Sequence, residues 1–152
     1  MEAARGDPEA IARFLTAARP LILRYCRARI GRKAGGFAQA DEVAQEVCLA
    51  LLTALPGHGP GDRSFLPGVY RLAQQKIRAA GPPGEPPDAR LGALLRVLPE
   101  RQREILTLRM IVGLSAEQSA LVLGLTPSAV RVQQHRALAR LRGGLGSGST
   151  AP

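Results

Sequence analysis

Ser128, Arg131, Val132 and His135 are offset by zero, three, four and seven residues, which places them on one face of a helix, with Arg136 beside them. Their chemistry is that of contact rather than of bond making. Arg131 and Arg136 carry planar, forked donors that match phosphate oxygens, and Arg131 also suits the paired acceptors of a guanine edge. Val132 offers an apolar surface to a thymine methyl. Arg140 and Arg142 follow on the same helix and suit the phosphate backbone. From Gln118 to Pro152 the chain has four Arg residues and no acid. A helix that needed only solubility would mix its charges, so this run implies a polyanionic partner.

Catalytic chemistry finds no comparable pattern. His58, in a Gly-rich loop, and His135 lack the spacing of a zinc site and have no adjacent acid. No Gly-rich loop ends in Lys and Ser or Thr, as a phosphate cradle would. Glu100 and Glu104 share a helix face, but Arg101 and Arg103 flank them and make that face a solvated surface. The sequence predicts a protein without catalytic residues, metal or cofactor.

Two marked helix starts position the Arg-bearing face. Thr126 can cap the free N–H groups of the helix that follows, and Pro127 occupies its first position, where a missing N–H costs nothing. Upstream, Ser115 and Gln118 have the reciprocal spacing of a capping box. Between the two starts, Gly124 can supply a left-handed turn, and Leu121 and Leu125 can bury into the helix pair. The result is a helix-turn-helix. Val130, Ala137, Leu138 and Leu141 form the buried stripe of the second helix. Gln134 falls where that stripe calls for a hydrophobe, and its amide can instead bond a neighbouring helix end. A helical hairpin packed on a partner protein would also carry a basic helix. The caps, the turn and the acid-free flank together favour DNA.

Composition widens the picture. The chain has 152 residues with 21 basic and 12 acidic side chains, a length for one ordinary domain or two small ones. The basic excess is shared between residues 1–80, with 12 against 7, and residues 81–152, with 9 against 5, so both halves can touch nucleic acid. Cys26 and Cys48 lie on apolar helical faces and read as buried thiols rather than a disulfide. No apolar run approaches the length of a membrane span, and the N-terminus lacks a basic-then-apolar signal, so a cytoplasmic protein is expected.

The pattern is all-α throughout. Asp7, Pro8 and Glu9 open a helix carrying Ile11, Phe14, Leu15, Ala18, Ile22, Tyr25 and Ile30, which Pro20 is expected to interrupt or divide and which glycines 31, 35 and 36 end. A second helix starts near Ala40 with acids in its first turn, buries Val43, Val47, Leu51 and Leu55, and stops at Pro56. A third runs from about Phe65 to Ala80, with Leu66, Val69, Tyr70, Ala73 and Ile77 inward. Three helices can close a small core, so residues 1–80 are a plausible domain. Residues 81–90 hold four prolines and two glycines within eight positions and read as a flexible tether. Residues 91–142 form the second helical domain, in which a helix at about 90–97 precedes one whose core residues are Ile105, Leu106 and Met110. Residues 143–152, rich in Gly, Ser and Thr, are expected to be disordered.

Three strings in this order, Asp41 to Val47, Phe65 to Ala73 and Leu98 to Leu106, resemble the extracytoplasmic-function (ECF) sigma factors of bacterial RNA polymerase, over about residues 10–142. The resemblance implies partners and roles. Asp41, Glu42, Gln45 and Glu46 would dock on the coiled coil of the polymerase's largest subunit, a basic partner complementary to a local acidic cluster. The loop at 56–64 with Arg63, and the helix after it with Arg71, Gln74, Gln75, Lys76 and Arg78, would engage the −10 promoter element and a flipped base. Ser128, Arg131, Val132, His135 and Arg136 would read the −35 element in the major groove. The C-terminal domain would meet the polymerase flap, and the tether would thread toward the RNA exit path. The resemblance also leaves room for an inhibitory anti-sigma partner. The chain departs from the family in having Gly68 where a Trp is frequent, and only five aromatic residues in all, Phe14, Phe37, Phe65, Tyr25 and Tyr70. Base stacking would then contribute less to strand separation. The alternative reading is a stand-alone helix-turn-helix regulator, which would need a dimer interface to read paired half-sites. No heptad or apolar dimer face is visible in the first half.

Overall fold

The computed structural model describes residues 8–34, 36–54, 65–86 and 89–149, and within them the chain is helices joined by turns and irregular segments, with two isolated β-bridges and no strand. It divides into two compact units between Glu85 and Pro86. Asp7, His58, Arg63 and the rest of the 56–64 loop lie outside the described residues.

The first unit is built from α1 (Pro8–Ile30), α2 (Ala38–Ala54) and α3 (Phe65–Ala79). Pro20 sits inside α1 without dividing it. It lies on the exposed side of the helix, so the carbonyl its ring leaves unbonded faces water rather than the core. Ile22, Tyr25, Cys26 and Ile30 of α1 are buried with Val43, Val47 and Leu51 of α2 and Phe65, Val69, Ala73 and Ile77 of α3. Phe14 meets Phe65 edge to face at 4.7 Å, and Tyr25 lies 5.5 Å from Tyr70, so two aromatic contacts join α1 to α3. Leu66 and Tyr70 are only half-buried, because Phe65 takes the inward place at the start of α3. Both cysteines are free thiols. Cys26 is fully buried and Cys48 half-buried. Burial above all, then the neighbouring Cys48 and Asp41, pushes the Cys26 thiol up to about 12.

A strap from the Pro-rich stretch closes this unit. The Gly84 N–H donates to the Ile30 carbonyl at 2.7 Å, and Arg32 and Glu85 exchange backbone hydrogen bonds at 2.5 and 2.8 Å. Gly31 makes the approach possible: its φ is +75°, and a Cβ there would collide with the Glu85 carbonyl. Gln39 Nε2 donates to the Ala80 carbonyl at 2.9 Å and holds the end of α3. The tether expected over 81–90 is therefore shorter than its composition suggests. Residues 84 and 85 are paired to the first unit, and helix resumes at Ala89.

The second unit contains α4 (Ala89–Leu95), α5 (Glu100–Leu106), α6 (Ala116–Leu123) and α7 (Pro127–Ser149). Ile105, Ala116, Ala120 and Val130 form one core cluster, with Leu123 and Leu125 packed against it, while Leu121 stays half-buried. Leu98, Leu106 and Ala137 form another, joined by Leu95, Leu138 and Leu141. Helix α5 continues into a π-helical turn over Thr107–Val112, closed by Gly113 at φ 93°. Met110 is consequently 62% exposed, not in the core as its spacing from Leu106 predicts. Hydrogen bonds closing from i to i+5 put extra residues into each turn, which carries Leu108 and Val112 inward and Met110 out. The expectation of disorder from residue 143 also gives way, since α7 runs to Ser149. Each added residue there extends an existing helix and needs no new nucleus.

Two glycine substitutions should separate in a thermal or denaturant melt. Gly31→Ala must place a side chain at φ +75° against the Glu85 carbonyl, and it should destabilise the chain by more than about 1 kcal/mol. Gly68→Ala meets nothing within 4 Å inside α3 and should stabilise it by up to about 1 kcal/mol.

Candidate nucleic-acid interface

Local chemistry fixes the α6-turn-α7 hairpin at each of its joints. Ser115 Oγ accepts from the Gln118 N–H at 3.0 Å, and Gln118 Oε1 accepts from the Ser115 N–H at 2.9 Å, completing the capping box. Gly124 ends α6 in the left-handed region at φ 70°, and its N–H donates to the Ala120 carbonyl. The Ala129 N–H donates to Thr126 Oγ1 at 3.1 Å, capping α7.

Packing then sets which way α7 faces. Val130 and Ala137 are both 0% exposed, so the opposite side of the helix looks outward. Ser128, Arg131, Val132, His135 and Arg136 all lie on that exposed side, as do Arg140 and Arg142. Val132 is 47% exposed, an apolar side chain left in the open among polar neighbours. Gln134 is explained by a residue that the sequence pattern did not single out. The Arg109 Nε donates to Gln134 Oε1 at 2.9 Å, and its Nη1 donates to the Leu114 carbonyl at 2.8 Å. Arg109 thus ties the end of the π turn to the middle of α7. Gln102, buried, donates in the same way to Gln133 at 3.0 Å.

One contact on the exposed side was not anticipated. Glu117, in the first turn of α6, pairs with the Arg131 guanidinium at 2.6 Å. The hydrogen bond from its own backbone N–H, followed by the one from Arg131, holds its carboxyl below the usual range. The sequence signal was present, as Glu117 is the last acid before the acid-free run.

In the first unit, α3 buries Phe65, Val69, Ala73 and Ile77 and turns Arg71, Gln75 and Arg78 outward, with Gln74 and Lys76 half-buried between. Among the four residues expected on the acidic docking surface, Glu42, Gln45 and Glu46 are exposed together on one side of α2. Asp41 has a second engagement. Its carboxylate receives two hydrogen bonds from Arg27, at 2.8 and 3.0 Å, and these, more than any other influence, hold it below the usual carboxylate range. Arg27 also lies over the Phe37 ring at 4.9 Å, so Asp41 braces the α1–α2 turn. Sequence reasoning missed Leu49 and Leu52, which are 56% and 41% exposed. Their spacing from Glu42, Gln45 and Glu46 continues the same outward stripe of α2.

A capped helix-turn-helix whose second helix turns a basic side outward and carries no acid, preceded by a separate helical unit, defines a DNA-binding transcription protein. Comparison with known proteins is specific. Residues 88–141 match the family model of sigma-70, region 4. The chain is 44% identical over 168 residues to the ECF RNA polymerase sigma factor SigD of Mycobacterium tuberculosis, covering 93% of this chain and 79% of that protein. It is 42% identical over 171 residues to the ECF RNA polymerase sigma factor ShbA of Streptomyces griseus, covering 92% and 90%. The structure of CnrH in complex with the cytosolic domain of CnrY is similar at a TM-score of 0.73 and 28% identity, covering 96% of this chain and 94% of that one. The chain belongs to the ECF sigma factors of RNA polymerase. It is a non-catalytic initiation factor, which decides against the stand-alone regulator. No helix among the described residues is long and apolar enough to cross a membrane.

The Arg27–Asp41 pair carries a pH signature. Because the folded Asp41 pKa is depressed, its stabilisation is present above the unfolded value of about 4 and is lost as pH falls through the folded value. The two side chains are 40% and 44% exposed, so solvent screening limits the effect to about 1 kcal/mol or less. Acid titration of the melting temperature should be shallower in Asp41→Asn than in the parent between about pH 5 and 3, with the two curves converging at the acid end.

Proposed function

We propose that this sigma factor divides promoter recognition between its two units, residue by residue as follows. Ser128, Arg131, Val132, His135 and Arg136 on α7 read the −35 element from the major groove, with Arg131 on a base and Arg136, Arg140 and Arg142 on phosphates. Arg71, Gln74, Gln75, Lys76 and Arg78 on α3, together with Arg63, take the −10 element of the nontemplate strand. Glu42, Gln45 and Glu46 dock on the coiled coil of the polymerase's largest subunit, with Leu49 and Leu52 adding an apolar contact at the far end of the same stripe. Asp41 supports that surface by holding the α1–α2 turn. The second unit meets the flap.

The observation that carries this reading is the setting of α7. With Val130 and Ala137 fully buried, five side chains of groove-reading types share the outward side. The acidic stripe of α2 supports the docking assignment, since it is anionic in a chain of net charge +9. CnrH is seen bound to a cytosolic domain of CnrY, which supports an anti-sigma partner for this chain also. A cytoplasmic place of action follows from the same reading, since the polymerase is there.

The test mixes the purified chain with core RNA polymerase and promoter DNA and measures open complexes. Their formation should require all three components. Tight, specific binding of the chain alone to duplex DNA would overturn the division of labour proposed. Arg131→Ala should lose sequence preference within the −35 element as well as affinity, at about 1 to 3 kcal/mol. A uniform loss on all sequences would make Arg131 a phosphate contact instead.

A further inference from the structure

We propose that Glu117 is a specificity-determining positioning residue, which holds the Arg131 guanidinium in the orientation that reads a base pair of the −35 element. The inference rests on the assignment of Arg131 to a base.

Fold stability gives no sufficient reason for the pair. Its side chains are 62% and 57% exposed, and ion pairs so open to water contribute little to stability. An acid on a DNA-facing surface also repels phosphate. Glu117 is the only acid in α6 or α7, and it lies against the one side chain best suited to a guanine edge. Its backbone is fixed by the capping box on either side of it, at Ser115 and Gln118.

The donor geometry accounts for the arrangement. A guanidinium has two edges on which a pair of N–H groups can meet two acceptors, one formed by Nε and Nη2 and the other by Nη1 and Nη2. Nη2 contributes one hydrogen to each. Glu117 takes a single bond, from Arg131 Nη2. Whichever Nη2 hydrogen is engaged, the opposite edge stays whole for the O6 and N7 acceptors of guanine. A free Arg side chain must also lose rotamer freedom when it binds, and an anchored one loses less. The carboxylate stays ionised because the α6 N–H and Arg131 both favour its charged form.

The test uses full-length chain assembled with core polymerase and a duplex library randomised across the −35 element, comparing the parent with E117Q, R131A and the double variant. R131A should flatten the preference at one base pair by roughly 5- to 150-fold. E117Q should flatten preference at that same base pair by about tenfold while total affinity stays level or rises, since a negative charge has been removed. The double variant should look like R131A alone, because the two residues act as one device. If E117Q keeps the parental preference, or changes affinity equally on all sequences, the positioning role is wrong even where R131A loses its base. A flat effect of R131A instead removes the base assignment itself, and the inference with it.

Discussion

Burial of Val130 and Ala137 is the constraint on which the second unit depends. A helix can rotate about its own axis with little change in backbone energy, so only packing decides which residues reach outward. Two fully buried side chains, seven residues apart, contact two different core clusters and remove that freedom. Everything on the outer side follows from this rotation: the five outward side chains from Ser128 to Arg136, Val132 among them, and the approach of Arg131 to Glu117. Arg109 and Gln102 act on the same helix from the other direction, bonding Gln134 and Gln133 at the margin of the buried stripe. Polar bonds at the edge resist rotation more specifically than apolar packing alone, because they are directional.

The first unit obeys a related rule with different chemistry. Its helices are joined by aromatic contacts and by a turn in which Arg27 is held by Asp41 on one side and Phe37 on another. The Pro-rich strap then pairs with the residues just after α1, where Gly31 leaves room for the Glu85 carbonyl. Burial of Val43, Val47 and Leu51 leaves the acidic and apolar residues of α2 on a continuous outward stripe.

Much of this was legible in the sequence, and the division between what was and was not has a physical basis. Caps depend on residues within three or four positions of one another, so Ser115 with Gln118, Gly124, and Thr126 with Pro127 could be read directly. The outward face of α7 was legible for the same reason, since a 3.6-residue period maps faces without knowledge of partners. The π turn was not, because a local change in residues per turn leaves no mark on composition, and it misplaced Met110. The strap and the Arg109–Gln134 and Glu117–Arg131 pairs join residues far apart in sequence, which only the fold brings together. Gln134 gave a partial signal: a polar residue in an apolar stripe implied a partner without naming it. Pro20 and the Gly-rich end of α7 misled in the other direction, as propensity argued for breaks that the solvent-facing position of Pro20 and the continuing helix did not require.

Cys26 has a consequence in terms of oxidant chemistry. A thiol whose pKa stands at about 12 is ionised at neutral pH to only about one part in 10⁵, and the thiolate is the form that peroxide attacks. At 0% exposure it is also out of reach of disulfide exchange. The core of the first unit therefore holds the Cys26 sulfur as a packing atom, shielded from oxidative conditions that would alter an exposed thiol.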